Sequence, residues 1–257
     1  MSRLSSLPTA LRRAVVERRA LKVIAGLTNH DRVSVERIAR AAAAGGADLL
    51  DIACDPSLVR SVAAVAPALP LCVSAVEAEL FPAAIAAGAV VAEIGNFDAF
   101  YAQGRIFSAA EVLDLTCRTR ALLPHTPLSV TVPHVLPLDA QERLAVDLAE
   151  AGADLIQTEG GTSARPFSPG VQGLIEKAAP TLAAAHAISR ALAAAGQPLP
   201  VLCASGLSSA TVPLALAAGA SGVGVGTAVN RLEDELAMVA VVRGLREAIG
   251  SASRLAV

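Results

Sequence analysis

Four times in this chain a helical stretch ends in Gly-Ala and runs directly into an apolar strand. The four units are Gly46-Ala47-Asp48-Leu49-Leu50-Asp51-Ile52, Gly88-Ala89-Val90-Val91-Ala92-Glu93-Ile94, Gly152-Ala153-Asp154-Leu155-Ile156-Gln157-Thr158 and Gly219-Ala220-Ser221-Gly222-Val223-Gly224-Val225. Glycine stops each helix because it enters the left-handed C′ conformation without a Cβ clash. Three further strands follow proline instead: Leu71-Cys72-Val73-Ser74, Leu128-Ser129-Val130-Thr131-Val132 and Val201-Leu202-Cys203-Ala204. Residues 21–26 form the first strand, and helical patterns at 35–44, 139–151 and 177–195 lie between strands. Strict βα alternation means parallel strands joined by right-handed crossovers. Eight units in 257 residues, near the roughly 250 typical of the fold, favour one closed (β/α)₈ TIM barrel over an open doubly wound sheet.

No Gly/Ser/Pro linker divides the chain, so one barrel over 21–257 is expected, preceded by an N-terminal helix over 1–20. Leu4, Leu7, Leu11 and Val15 recur at helical spacing with Arg12, Arg13, Arg18 and Arg19 among them. This segment lacks the apolar stretch of a signal peptide. It reads as a plug for the lower end of the barrel, with a short transit sequence as the alternative. The longest irregular stretch, 159–173, is the loop after the sixth strand.

A formal net charge of −2 gives no electrostatic footprint for nucleic acid or an anionic membrane. Charge, Gly or Pro breaks every apolar run short of the ~20 residues of a membrane helix. The four cysteines (Cys54, Cys72, Cys117, Cys203) form no CxxC pair and no metal spacing, so a reducing compartment is expected. The sequence is compatible with a monomer or a homo-oligomer.

Aligning the four Gly-Ala units places Asp51, Glu93, Gln157 and Gly224 at one equivalent position. Inward residues from alternate strands of a barrel form one layer, and facing outward the two carboxylates would be buried without partners. An inward layer is therefore expected. Lys22 and Lys177 are the only lysines among 21 basic residues. Lys22, inside the first strand, can pair with Asp51 or Glu93, act in acid/base or Schiff-base chemistry, or form a structural ion pair at the lower rim. Lys177, next to Glu176, reads as a solvated surface group. At strand tops, His134 and Glu159 are candidate proton-transfer groups. The loop Gly160-Gly161-Thr162-Ser163 with Arg165 could clamp an anion. Phe97, Phe100, Tyr101 and Phe107 either wall the mouth or pack a short extra helix. No ligand spacing for a metal is evident.

The clearest functional signal is Ser205-Gly206 after the seventh strand paired with Gly222-Val223-Gly224-Val225-Gly226-Thr227 at the eighth. Loops after these two strands hold phosphate in many such barrels, and glycine lets backbone N–H groups approach the oxygens. Gly206, Gly226 and Thr227 are the expected donors. With no Lys or Arg between Leu202 and Asn230, the cradle is expected to rest on backbone amides.

The segments 21–27, Cys72-Val73-Ser74-Ala75-Val76-Glu77, Glu93-Ile94-Gly95-Asn96-Phe97-Asp98, 128–134, 157–161 and 202–206 closely resemble the hypothetical chloroplast reading frame 23 family of algal plastids and cyanobacteria. The resemblance covers nearly the whole chain after Arg19. It implies an aldolase-type barrel in a cyanobacterial cytoplasm or plastid stroma, and it assigns no activity. The strand 7–8 region is also similar to that of phosphate- and flavin-mononucleotide-binding barrels. The expected function is binding of a small phosphorylated metabolite with aldolase/lyase- or isomerase-type proton transfer, requiring no cofactor. Lys22, Asp51, Glu93, His134 and Glu159 would be catalytic. An FMN-binding oxidoreductase and a non-catalytic metabolite-binding or regulatory barrel are the alternatives.

Overall fold

Eight parallel strands close on themselves in chain order, β1 pairing with both β2 and β8. They are β1 (Ala20–Gly26), β2 (Leu49–Ala53), β3 (Leu71–Ala75), β4 (Val91–Ile94), β5 (Leu128–Thr131), β6 (Leu155–Gln157), β7 (Val201–Ala204) and β8 (Gly222–Val225). The computed structural model describes residues 3–255, side chains of 252–255 excepted. Residues 1, 2, 256 and 257, which the N-terminal-helix and barrel assignments include, lie outside it. The outer ring contains α2 (Arg32–Gly45), α3 (Pro56–Val65), α4 (Phe81–Ala86), α6 (Ala109–Leu122), α7 (Leu138–Glu150), α8 (Gly170–Ala194), α9 (Val212–Ala217) and α11 (Glu235–Leu255). Two single-turn helices, α5 (Asp98–Tyr101) and α10 (Thr227–Asn230), follow β4 and β8.

The repeat works as its chemistry requires. Gly46, Gly88, Gly152 and Gly219 all have positive φ, from +86° to +122°. In each unit the next alanine's N–H turns back to a carbonyl five residues earlier, as in Ala47 to Ala42 (2.9 Å) and Ala153 to Leu148 (2.9 Å). This is the Schellman arrangement that satisfies orphan helix carbonyls. It delivers the chain into β2, β4, β6 and β8 at the same register each time, so the layer argument from the repeat spacing has a structural basis.

Outward strand residues such as Leu21, Val23, Leu50, Ile52, Val130 and Ile156 join the helices in one large core. A second, smaller core fills the lower barrel with Ala20, Leu49, Cys72, Val91, Leu155 and Leu202. Leu7, Leu11, Ala14 and Val15 belong to that same core. They stand on α1 (Thr9–Val16), the observed N-terminal helix. It is shorter than the expected 1–20: a separate turn of 3-10 helix spans Arg3–Ser6, Pro8 stands at the helix N-cap, and Arg18 at φ +55° ends it before β1. Burial of each large apolar side chain contributes about 1.5–3 kcal/mol, enough to hold α1 across the barrel's lower opening.

The β6 loop is also shorter than 159–173, because α8 already begins at Gly170 after Pro169. The Glu176 carboxylate reaches back to accept from Phe167 N (2.6 Å), Ser168 N (3.0 Å) and Ser168 Oγ (2.6 Å). This ties the loop to the first turns of the helix.

Candidate active site

Inside the barrel, Lys22 Nζ lies 2.6 Å from Glu93 Oε2, 2.9 Å from Gln157 Oε1 and 3.4 Å from Asp51 Oδ2. Gln157 Nε2 donates to Glu93 Oε1 at 2.8 Å, and Ser74 Oγ donates to Asp51 Oδ1. Lys22, Asp51, Ser74, Glu93 and Gln157 are all 1% exposed or less. The expected inward layer of Asp51, Glu93 and Gln157 is thus a cage around one ammonium, and Lys22 reaches into that cage from β1. Gly224, the fourth layer member, leaves room: a Cβ there would meet Ala204 Cβ at 2.9 Å and Ile24 Cδ1 at 3.0 Å.

Asn96 covers the cage. Gly95 (φ +135°) and Asn96 (φ +62°) turn back at the end of β4, and a Cβ on Gly95 would lie 2.3 Å from Thr131 Cβ. Only glycine fits there, and the turn aims Asn96 Nδ2 at Asp51 Oδ2 (3.0 Å) and Glu93 Oε1 (3.3 Å). A Gly-Asn dipeptide immediately after a strand was the available sequence signal for this residue, because both types tolerate the left-handed region.

The charge balance of the cage follows from its geometry. Burial would strip the proton from Lys22, but Asp51 and Glu93 outweigh it and hold the ammonium above its ordinary range. Burial raises the Asp51 carboxyl to about 6, Glu93 adding to the rise while Lys22, Ser74 and Asn96 oppose it.

A second cluster stands at the rim. Glu159 Oε1 accepts from Tyr101 OH and from His134 N (3.1 Å), and lies 3.2 Å from His134 Nδ1. Its Oε2 accepts from Asp98 N at 3.2 Å. Asp98 Oδ1 stands 3.5 Å from His134 Nδ1, and Asp98 Oδ2 accepts from Ser205 Oγ at 3.0 Å. Burial and the nearby Asp98 raise the Glu159 carboxyl, although its bonds from His134 and Tyr101 work the other way. Burial lowers the His134 imidazolium, but Glu159 and Asp98 outweigh it and leave it raised. Glu159 and His134 thus both hold a proton more tightly than they would in water.

Asp98 had no role expected from sequence because a single helical turn, α5, delivers it; the same turn carries Tyr101, one of the aromatics expected to wall the mouth or pack a short extra helix. The other aromatics pack that turn: Phe97 and Phe100 lie 4.5 and 5.6 Å from Phe107, while the Tyr101 ring faces His134 edge-on at 5.0 Å. Ligand atoms of Asp98, His134 and Glu159 all fall within 4.8 Å of one another, close enough to admit a cation. They come from three different strand ends, so no local spacing announces them. The His134 backbone N–H and the Tyr101 hydroxyl already donate to Glu159 Oε1.

Two cavities meet at the mouth. One, of about 240 Å³, is lined by Asn96, Asp98 and Glu159 on one side and by Gly206, Gly226 and Thr227 on the other. The second, of about 100 Å³, shares those last three residues and adds Ser208, Lys177 and Arg231. Two cations from flanking elements thus stand beside these three residues, and Lys177, expected as a solvated surface group, lines a cavity instead. Residues 160, 161 and 165 also differ from expectation. Gly160 packs on His134 and Pro180, and a Cβ on Gly161 would lie 2.4 Å from Gly206 Cα, so this pair seats one loop against another. Arg165 is exposed and lines neither cavity.

A parallel eightfold barrel with polar clusters at the C-terminal ends of its strands defines an aldolase-type TIM barrel. The chain belongs to the family described as "Protein of unknown function (DUF561)", whose model matches residues 7–255. It is 43% identical over 223 residues to "Uncharacterized protein ycf23" of Cyanophora paradoxa, covering 87% of this chain and 89% of that protein. The protein of the same name from Pyropia yezoensis is 37% identical over 233 residues, covering 91% and 83%. Among solved structures, thiamine phosphate pyrophosphorylase from Pyrococcus furiosus superposes with a TM-score of 0.59 at 16% identity, covering 92% of this chain and 98% of that one. The (S)-3-O-geranylgeranylglyceryl phosphate synthase from Thermoplasma acidophilum gives 0.60 at 14%, covering 95% and 100%. At such identities these likenesses establish the fold. Among the described residues no helix is long and apolar enough to cross a membrane.

Proposed function

We propose that this protein binds a small phosphorylated metabolite in the mouth of the barrel and moves a proton on it, in lyase/aldolase- or isomerase-type chemistry. The observation that carries the reading is the single cavity with Asp98 and Glu159 on one wall and Gly206, Gly226 and Thr227 on the other. Phosphate is held at the glycine wall, where nothing but backbone stands between amide and oxygen. Glu159, its proton affinity raised by burial, exchanges a proton with the substrate while His134 and Tyr101 hold its orientation. Lys22 acts as the charge partner of Asp51 and Glu93. Schiff-base formation would require an unprotonated amine, which two carboxylates disfavour. By its family likeness the protein works in a cyanobacterial cytoplasm or a plastid stroma. That enzymes of this fold act on phosphorylated compounds, as the names of the two solved structures indicate, agrees with the reading.

The test is incubation with triose to heptose phosphates in D₂O, followed by proton NMR for deuterium uptake or carbon–carbon cleavage. Turnover of at least one substrate, lowered by about 10²–10⁴ in Glu159→Gln as for loss of a general base, is the expected result. No exchange across the panel, or full activity in the variant, refutes it. Flavin absorbance in the purified protein would favour the FMN-binding alternative instead.

A further inference from the structure

The two cavities that share Gly206, Gly226 and Thr227 carry opposite charge. The outer one is lined by Lys177 and Arg231 and by no acidic residue. Neither cation has a carboxylate partner among the described residues. Lys177 is held in place by packing: a Cβ on Gly206 would touch its Cγ at 3.2 Å and its backbone oxygen at 2.8 Å, so the stem crosses directly over the glycine. The inner cavity is lined by Asp98 and Glu159 and by no Lys or Arg. Its floor, beneath Asn96, holds one ammonium against two carboxylates. His134, bonded behind Glu159, is the one nearby group there able to add positive charge, and two acids face it.

Resting on the reading that the mouth takes a phosphorylated metabolite, we infer a narrower substrate class: a terminal phosphate monoester whose reacting end is uncharged, a hydroxyl or carbonyl compound rather than a phosphorylated carboxylic acid. Two unpaired cations match the two charges of a phosphomonoester dianion, whereas a diester or a carboxylate would leave one of them unanswered. At the other end a substrate carboxylate would lose its water against Asp98 and Glu159 with no cation to meet it, a repulsion that discriminates between otherwise similar ligands. A carbonyl or hydroxyl meets no such repulsion, and it can accept from or donate to the same groups.

Glycerol 3-phosphate and 3-phosphoglycerate have the same three-carbon frame and differ in a hydroxymethyl against a carboxylate. They isolate the inner charge. Calorimetric titration at about pH 8, where the phosphate is fully ionised, measures both against the wild type, Lys177→Met, Arg231→Met and Glu159→Gln, each first shown to be folded by circular dichroism. Glycerol 3-phosphate is expected to bind about tenfold or more tightly than 3-phosphoglycerate. Each Met variant should weaken both ligands by a similar factor, and Glu159→Gln should narrow the gap between them. Equal affinities, or a preference for 3-phosphoglycerate, overturn the charge assignment while leaving the phosphate site standing. Unchanged binding in both Met variants likewise removes the cation clamp alone. Failure of both ligands and of inorganic phosphate to bind would take the proposed function down together with this inference.

Discussion

Replacing Lys22 by Met keeps the volume of the buried chain and deletes its charge, leaving Asp51 and Glu93 facing each other. Breaking a buried ion pair by removing one partner costs about 3–5 kcal/mol, because the remaining charge is stranded without water. In a domain of this size each kcal/mol corresponds to roughly 2–4 °C, so a fall in Tm of about 6–20 °C is expected. The loss depends on pH with a defined sign. Asp51 has its folded pKa raised to about 6 from an ordinary 3.8. The folded state therefore binds more protons than the unfolded one between those values, and this group's contribution to stability declines as pH rises across that window. Lys22 opposes the rise at Asp51, so without it the Asp51 carboxyl rises further and the decline extends above pH 6. Urea unfolding of Lys22→Met should then show a larger deficit at about pH 8 than at about pH 5. The double variant Lys22→Met with Glu93→Gln, which removes one of the two stranded charges, should recover most of the loss at the higher pH. A deficit below about 1 kcal/mol, the range of an exposed pair, would refute the reasoning. So would a deficit that is the same at both pH values, or one the second substitution does not repair.

Two other expectations follow from the rim and the loops. His134 has its folded pKa raised, so its contribution to stability is fully present below about 6.5, the unfolded value, and is lost as pH rises through the folded one. Imidazole NMR should find it titrating above 6.5, and Glu159→Gln should lower that midpoint; an unmoved midpoint would separate the two groups. Gly161→Ala must push Gly206 away from a 2.4 Å approach and should cost about 1–3 kcal/mol as an overpacked site. Gly46→Ala meets nothing within 4 Å and should lose only about 1 kcal/mol to its left-handed backbone; equal costs in denaturant melts would contradict this contrast.

The barrel was legible because its grammar is local. Each Gly-Ala turn states its own geometry, and four turns at equal register carried Asp51, Glu93 and Gln157 into one layer without any knowledge of long-range contacts. The cage around Lys22 followed from the same alignment. What stayed hidden is what the closed ring brings together from afar. Asp98 meets His134 and Glu159 only after β4, β5 and β6 have paired. Lys177, 29 residues before Gly206 in the chain, meets that glycine only because α8 packs beside β7. The start of α8 at Gly170 carries no local signal, since no side chain caps it and Glu176, inside the helix, bonds backward to residues that precede it.

The apolar plug formed by Leu7, Leu11 and Val15 has an effect on protonation as well as on packing. Beneath Lys22 and Glu93 lies a void of only about 20 Å³, walled chiefly by these side chains and by Leu49, Val91 and Leu155. Its surface is almost wholly apolar and offers a water too few partners to be held. Hydrogen exchange with the buried ammonium and its two carboxylates is thereby confined to the opposite side, past Asn96. A ligand seated on Asn96 would lie across that passage, so occupancy of the mouth governs how fast the charge of the interior can change.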